Sequence, residues 1–155
     1  MKDLVAGFSG QLREAIAIGE AAVLTPSKNP IRNVLVTGLG GSGIGGSIVS
    51  QLCDKELKVP FVVNKDYFLP AFVDAHTLVI VSSYSGNTEE TVQAMQTALE
   101  RGAKIVCVTS GGKIGAMAKE NGCDVVSIPG GLPPRACFGY SATQLFYVLE
   151  ANGLI

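Results

Sequence analysis

Short aliphatic runs alternate along this chain with longer stretches in which apolar residues recur every three or four positions. Asn33-Val-Leu-Val-Thr37 is the first run, and its end at a cluster of glycines reads as a buried strand. Beyond the glycines, Ile44, Ile48 and Leu52 recur every four residues and predict a helix. Residues 60–64 and 77–81 give the second and third strands. Residues 88–101 give a helix with Val92, Met95 and Leu99 on one face and Gly102 as its stop. The fourth strand is 104–109, Ile114, Met117 and Ala118 mark a helix closed by Gly122, and 124–128 is the fifth strand. A Gly/Pro loop follows, then a last helix from about Gly139. Between the second and third strands, Tyr67-Phe-Leu-Pro70 is broken by proline and predicts only a short helical turn or a loop. Ahead of the first strand, Leu4, Phe8, Leu12 and Ile16 predict an N-terminal helix ended by Pro26. Gly7 and Gly10 weaken that helix, so it depends on packing against the sheet.

Helices between short aliphatic strands mean right-handed crossovers and a parallel sheet. The expected fold is α/β, a doubly wound, flavodoxin-like five-stranded parallel sheet of order 2-1-3-4-5. Residues 1–155 form one domain, with the N-terminal helix within 1–30 lying on the sheet. In that order the first and third strands are neighbours whose helices leave on opposite faces. Their C-terminal ends form the topological switch point where ligands bind.

Composition narrows the class. At 47% hydrophobic and 6% aromatic, the core is built of small aliphatics. Twelve basic and thirteen acidic residues leave a formal charge of −1, which argues against a grip on nucleic acid by phosphate neutralisation. No apolar run approaches the ~20 residues of a membrane span. The first eight residues offer neither a signal-peptide core nor a cleavage site, so the expected setting is the cytoplasm, with no membrane partner. Cys53, Cys107, Cys123 and Cys137 form no CxxC pair, and one histidine does not complete an ordinary zinc site. They read as reduced, partly buried thiols.

Two loops carry candidate chemistry. Gly38-Leu-Gly-Gly-Ser-Gly-Ile-Gly-Gly46 matches GxGxxG from Gly38 and again from Gly41. Such glycines let backbone amides approach an anion at a helix N-terminus, or simply let strand and helix pack closely. Ser82-Ser-Tyr-Ser-Gly-Asn-Thr88 ends the third strand. Thr88 can cap the next helix, and Glu89 and Glu90 suit its dipole; Ser83 and Ser85 are left unexplained by capping. Both loops fall at the switch point, where hydroxyls from Ser42, Ser83, Ser85 and Thr88 join two helix N-termini. The cup has no Walker lysine and no carboxylates set for Mg²⁺, so it suits a monophosphate. A dinucleotide site is the rival, with Asp66 near the position of its ribose-binding acid.

Gly40-Gly-Ser-Gly43, Ser82-Ser-Tyr-Ser-Gly-Asn-Thr-Glu-Glu-Thr91, and Pro133-Pro-Arg-Ala136 followed by Gly139-Tyr140 resemble the sugar isomerase (SIS) domain. More narrowly, they resemble the first half of the bifunctional phosphoglucose/phosphomannose isomerases. The resemblance implies interconversion of glucose 6-phosphate or mannose 6-phosphate with fructose 6-phosphate, without metal or nucleotide cofactor. It implies that Gly40, Gly41 and Ser42 line the sugar-phosphate site and that Ser83, Ser85 and Thr88 hold the phosphate. It assigns to Arg135 the steadying of the negative enediol intermediate.

Members of that family carry two SIS domains, and the catalytic glutamate and ring-opening histidine belong to the second. Neither has a matching position here. His76 precedes the third strand at the opposite sheet edge and reads as structural. Glu89 and Glu90 would repel a phosphate, and Glu150 lies late in the final helix. The expectation is a domain that binds a hexose 6-phosphate but lacks the base. The final helix, with Leu145, Phe146, Val148, Leu149 and then Leu154-Ile155, is expected to cover the missing half or to drive self-association as a homodimer. A non-catalytic SIS sensor is the alternative of a different class.

Overall fold

Strands without a polar face must be covered on both sides, and that requirement organises the molecule. In a computed structural model describing residues 2–155, β1 (Asn33–Thr37), β2 (Phe61–Asn64), β3 (Thr77–Ser82), β4 (Lys104–Thr109) and β5 (Asp124–Ser127) pair in parallel. Their order is β2-β1-β3-β4-β5, as the alternation of elements predicts. Alternate side chains build two cores. Val34, Val36, Leu78, Ile80, Val106 and Val108 face α2 (Phe8–Ala21), α3 (Gly40–Leu52) and α6 (Phe138–Ala151). Leu35, Val79, Val81, Ile105 and Cys107 face α4 (Glu89–Glu100) and α5 (Gly112–Glu120). Helices α3 and α4 therefore leave β1 and β3 on opposite faces and open the switch point between them.

Boundaries shift by a residue or two: β3 extends to Ser82, and α4 begins at Glu89. The connection from β2 to β3 holds no helix, but Leu69 and Val73 are buried under it against the α4 face. A 3-10 turn at Pro134–Ala136 precedes α6 and has no periodic signature. The cysteines are free thiols, with Cys53, Cys107 and Cys137 buried and Cys123 half-buried. Burial pushes the Cys107 thiol up to about 12. No helix among the described residues is long and apolar enough to cross a membrane.

The expected helix faces are the main corrections. The N-terminal segment is two helices, α1 (Lys2–Ala6) and α2, separated at Gly7, and α2 ends at Ala21 rather than at Pro26. Phe8 and Ile16 are exposed, while Ala15 and Gly19 are buried against α6. The reason is close approach: a Cβ on Gly19 would overlap the Tyr147 ring, and Gln144 Nε2 donates to the Ala15 carbonyl at 2.8 Å.

Helix α3 shows the same inversion. Ile44, Ile48 and Leu52 are 52%, 39% and 69% exposed, and Gly43, Gly45, Gly46 and Val49 turn inward. A Cβ on Gly46 would stand 3.1 Å from Val36 Cγ1 and 3.3 Å from Val63 Cγ2, so the helix lies close against the sheet at this glycine. The final helix is not a bare surface either. Leu145, Val148 and Leu149 are fully buried and Leu154 nearly so, under α2 and α3, while Phe146 and Ile155 are half-buried. Leu145, Val148, Leu149 and Leu154 are therefore spent inside the domain, only Phe146 and Ile155 of the expected surface stay partly open, and Ile44, Ile48 and Leu52 form an exposed apolar stripe on α3.

Candidate functional site

The site begins at Gly38, where β1 ends. A Cβ there would stand 2.6 Å from the Ser82 carbonyl oxygen and 3.1 Å from Ser42 Cβ, so glycine lets the two loops touch. Gly40 then takes φ +54 and turns the chain into α3. Ser42 N and Gly43 N donate to the Leu39 carbonyl at 3.1 and 3.3 Å. Gly40 and Gly41 open that turn, and only their own two amides are left without an intrahelical acceptor at the positive end of the helix. Gly45 and Gly46 serve packing instead, so the glycine run divides into a site half and a packing half.

The serine loop faces it from β3. Ser83 is buried, and its Oγ lies 3.1 Å from Thr88 Oγ1. Thr88 stands at the N-cap of α4 but makes no side-chain cap bond, because its hydroxyl turns to Ser83. The expected capping role is therefore not played. Ser85 is exposed, and its Oγ accepts from Asn87 N at 3.2 Å. Glu89 and Glu90 lie near Tyr67, whose phenol is raised by partial burial and then by these two charges.

The next turn grips this loop. Gly86 has φ +67, and a Cβ there would overlap the Gly111 carbonyl oxygen. Ile114 N donates to the Gly86 carbonyl at 2.9 Å, and Lys113 N to Asn87 Oδ1 at 3.0 Å. The first amides of α5 are thus spent on holding the serine loop in shape.

The proline-arginine turn closes a third side. The Pro134 carbonyl oxygen comes within 3.9 Å of where a Gly41 Cβ would be. Arg135 is exposed and lines a recess with Leu4, Val5, Phe8 and Phe138. Its turn is beside the glycine turn, while its side chain borders α1. Tyr140, from the same motif, is buried and donates its hydroxyl to Glu14 of α2; that bond, then burial, pushes its phenol up to about 12.

The remaining candidates lie apart. His76 Nδ1 sits 3.0 Å from the Pro30 carbonyl ahead of β3, at the other end of the sheet. Glu150 is exposed near the end of α6. Asp66 follows β2 and spends Oδ1 on the amide of Tyr67. Its neighbour Lys65, which periodicity does not single out, places Cε 3.2 Å from the Cβ position of Gly43. The stem of this exposed lysine thus lies against the first turns of α3. Tyr84 and Gln11 also escape sequence reasoning, since their partners lie 48 and about 125 residues away. Among the described residues no group of three or more His, Cys, Asp or Glu could hold a metal ion.

The N-termini of α3 and α4 and the paired hydroxyls of Ser83 and Thr88 thus meet where two crossovers diverge, with the stem of Lys65 beside α3. Groups of this kind suit an anion, and the carboxylates nearest them, Glu89 and Glu90, lie beside Tyr67 in the first turn of α4.

The fold is that of a doubly wound α/β domain with its glycine and serine loops at the switch point. A family model for the SIS domain matches residues 29–128, and the chain belongs to that family. It is 46% identical over 155 residues to the bifunctional phosphoglucose/phosphomannose isomerase of Caldicellulosiruptor bescii, covering 100% of this chain and 46% of that protein. It is 36% identical over 128 residues to the D-glucosamine-6-phosphate 4-epimerase of Sulfolobus acidocaldarius, covering 82% of this chain and 40% of that one. A crystal structure of a Clostridium difficile protein assigned as a phosphosugar isomerase superposes with a TM-score of 0.77 at 18% identity, over 96% of this chain and 44% of that one. The chain therefore spans less than half the length of these relatives.

Proposed function

We propose that this domain binds the phosphate end of a hexose 6-phosphate for an aldose–ketose isomerase interconverting glucose 6-phosphate or mannose 6-phosphate with fructose 6-phosphate. The observation that carries the reading is the Ser83–Thr88 hydroxyl pair, set beside free amides of α3 at the β1/β3 edge. Two hydroxyls 3.1 Å apart can donate to one phosphate oxygen. Ser85, exposed at the mouth, reaches a second, and the amides of Gly40 and Gly41 with Ser42 line the sugar side. The phosphate does not react; its binding energy orients the carbon chain.

Moving a carbonyl between C1 and C2 requires a base for the proton and a cation for the enediolate oxygen. Arg135 is the cation in this reading, and it must swing from its place beside α1 toward the sugar. No residue at this edge is positioned as the base. A second SIS domain supplies it, and the isolated chain binds without turning over.

The relative that epimerises glucosamine 6-phosphate favours a second reading, in which the same phosphate cup serves an amino sugar. A coupled assay separates them. The chain is supplied with its complementary domain and offered glucose 6-phosphate, mannose 6-phosphate and glucosamine 6-phosphate. Formation of fructose 6-phosphate from the first two supports the isomerase; activity on the amino sugar alone rejects it. Turnover by the isolated chain would mean that a base exists within these residues.

A further inference from the structure

Tyr84 lies between the two serines assigned to the phosphate, yet its side chain points to the arginine turn. Its carbonyl accepts from Ser110 N at 3.0 Å and Ser110 Oγ at 2.7 Å, so the main chain is fixed on the β4 side. Its ring is half-buried against the α2/α3/α6 core. Its hydroxyl accepts from Leu132 N at 2.9 Å, three residues before Arg135. The far end of that turn is held by one side chain, Gln11, whose Nε2 donates to the Ala136 carbonyl at 2.6 Å and whose Oε1 accepts from Gly139 N at 2.9 Å. Within the turn, Cys137 Sγ donates to the Pro133 carbonyl at 3.3 Å. The arginine turn is thus pinned at both ends, once to the serine loop and once to α2.

We propose that Tyr84 is a positioning residue that couples the phosphate-binding serine loop to the placement of Arg135. The inference rests on the phosphate reading above and deepens it. A phosphate on Ser83 and Ser85 fixes the backbone on both sides of Tyr84. The phenol carries that geometry to Leu132, and Leu132 sets where Arg135 starts. Phenylalanine would fill the same space but leave the Leu132 amide without its acceptor, so the identity of the residue is explained by the hydrogen bond and not by packing.

The test is a double-mutant cycle on binding to the full 155-residue chain, read with two probes. Inorganic phosphate reports the cup alone. A five-carbon aldonate phosphorylated at its far end reports the cup together with a carboxylate where the enediolate would form. Tyr84→Phe is expected to weaken the phospho-aldonate about tenfold and inorganic phosphate by less than about twofold. Arg135→Ala is expected to do the same, and the double variant to bind no more weakly than Arg135→Ala alone. Gln11→Met, which frees the other end of the turn, is expected to match Tyr84→Phe. Equal losses for both probes, no loss in Tyr84→Phe, or additive losses in the double variant would overturn the coupling while leaving the phosphate cup standing. Failure of the wild-type chain to bind either probe would overturn the phosphate reading itself, and the coupling with it.

Discussion

Gly86→Ala perturbs the site at the point where its shape is most tightly constrained. Gly86 sits at φ +67, which costs an L-residue about 1–2 kcal/mol. The added Cβ would also overlap the Gly111 carbonyl oxygen, a backbone atom that no rotamer change can remove. The serine loop must then separate from the turn ahead of α5. That breaks the bonds from Ile114 N to the Gly86 carbonyl and from Lys113 N to Asn87 Oδ1. At about 1 kcal/mol for each bond, the whole change comes to about 3–4 kcal/mol. For a chain of this size the melting temperature should fall by roughly 6–16 °C. Because Ser85 and Asn87 flank the displaced residue, affinity for hexose phosphate should fall as well. Thermal denaturation followed by circular dichroism, paired with a phosphate titration, reads both. Gly10→Ala is the control: it has nothing within 4 Å of its Cβ and should gain roughly 0.5–1 kcal/mol. If Gly86→Ala melts with the wild type and binds as tightly, the rigid-loop account is wrong.

Gly19→Ala should destabilise by about 1–3 kcal/mol despite better helix propensity, because its Cβ overlaps the Tyr147 ring; a melting temperature above the wild type would reject the close α2–α6 contact. Asp124 offers a pH test. Burial opposes its charge, but Lys104 Nζ at 2.6 Å and the amide and hydroxyl of Thr25 hold its carboxyl below the ordinary 3.8. A carboxyl lowered in the folded state stabilises above the unfolded value and loses that stabilisation as pH falls through the folded one. Asp124→Asn should therefore melt lower than the wild type at neutral pH, with the gap narrowing below about pH 3.8. A gap that stays constant through the acid range would contradict this assignment. Arg135→Ala should leave the melting temperature within about 1–2 °C of the wild type, since the side chain is exposed and unpaired among the described residues; a larger drop would give it a structural role.

The sheet was readable because strands covered on both faces leave unbroken aliphatic runs, as in Val34-Leu-Val36 and Leu78-Val-Ile-Val81. The faces of α2 and α3 were not, and for one physical reason. Periodicity weighs large apolar side chains, whereas these helices turn Ala15, Gly19, Gly45 and Gly46 inward and pack closely because those residues are small. Helix α4 was readable because an ordinary residue, Met95, lies at its buried centre between Ala94 and Ala98. Within the site, the serines and glycines stand out by composition. The direction of the Thr88 hydroxyl does not, since capping and pairing with Ser83 use the same residue at the same place. Tyr84, Gln11 and Lys65 act across long separations or beside a turn, and local pattern holds no trace of such contacts.

The most direct measurement is a calorimetric titration of the chain and of Thr88→Ala with fructose 6-phosphate, with fructose as control. A hydroxyl bonded to a charged oxygen contributes about 1.5–3 kcal/mol, so the variant should bind roughly 10–150-fold more weakly, and fructose should not bind. Unchanged affinity in the variant, or equal binding of fructose, would contradict a phosphate cup at the β1/β3 edge.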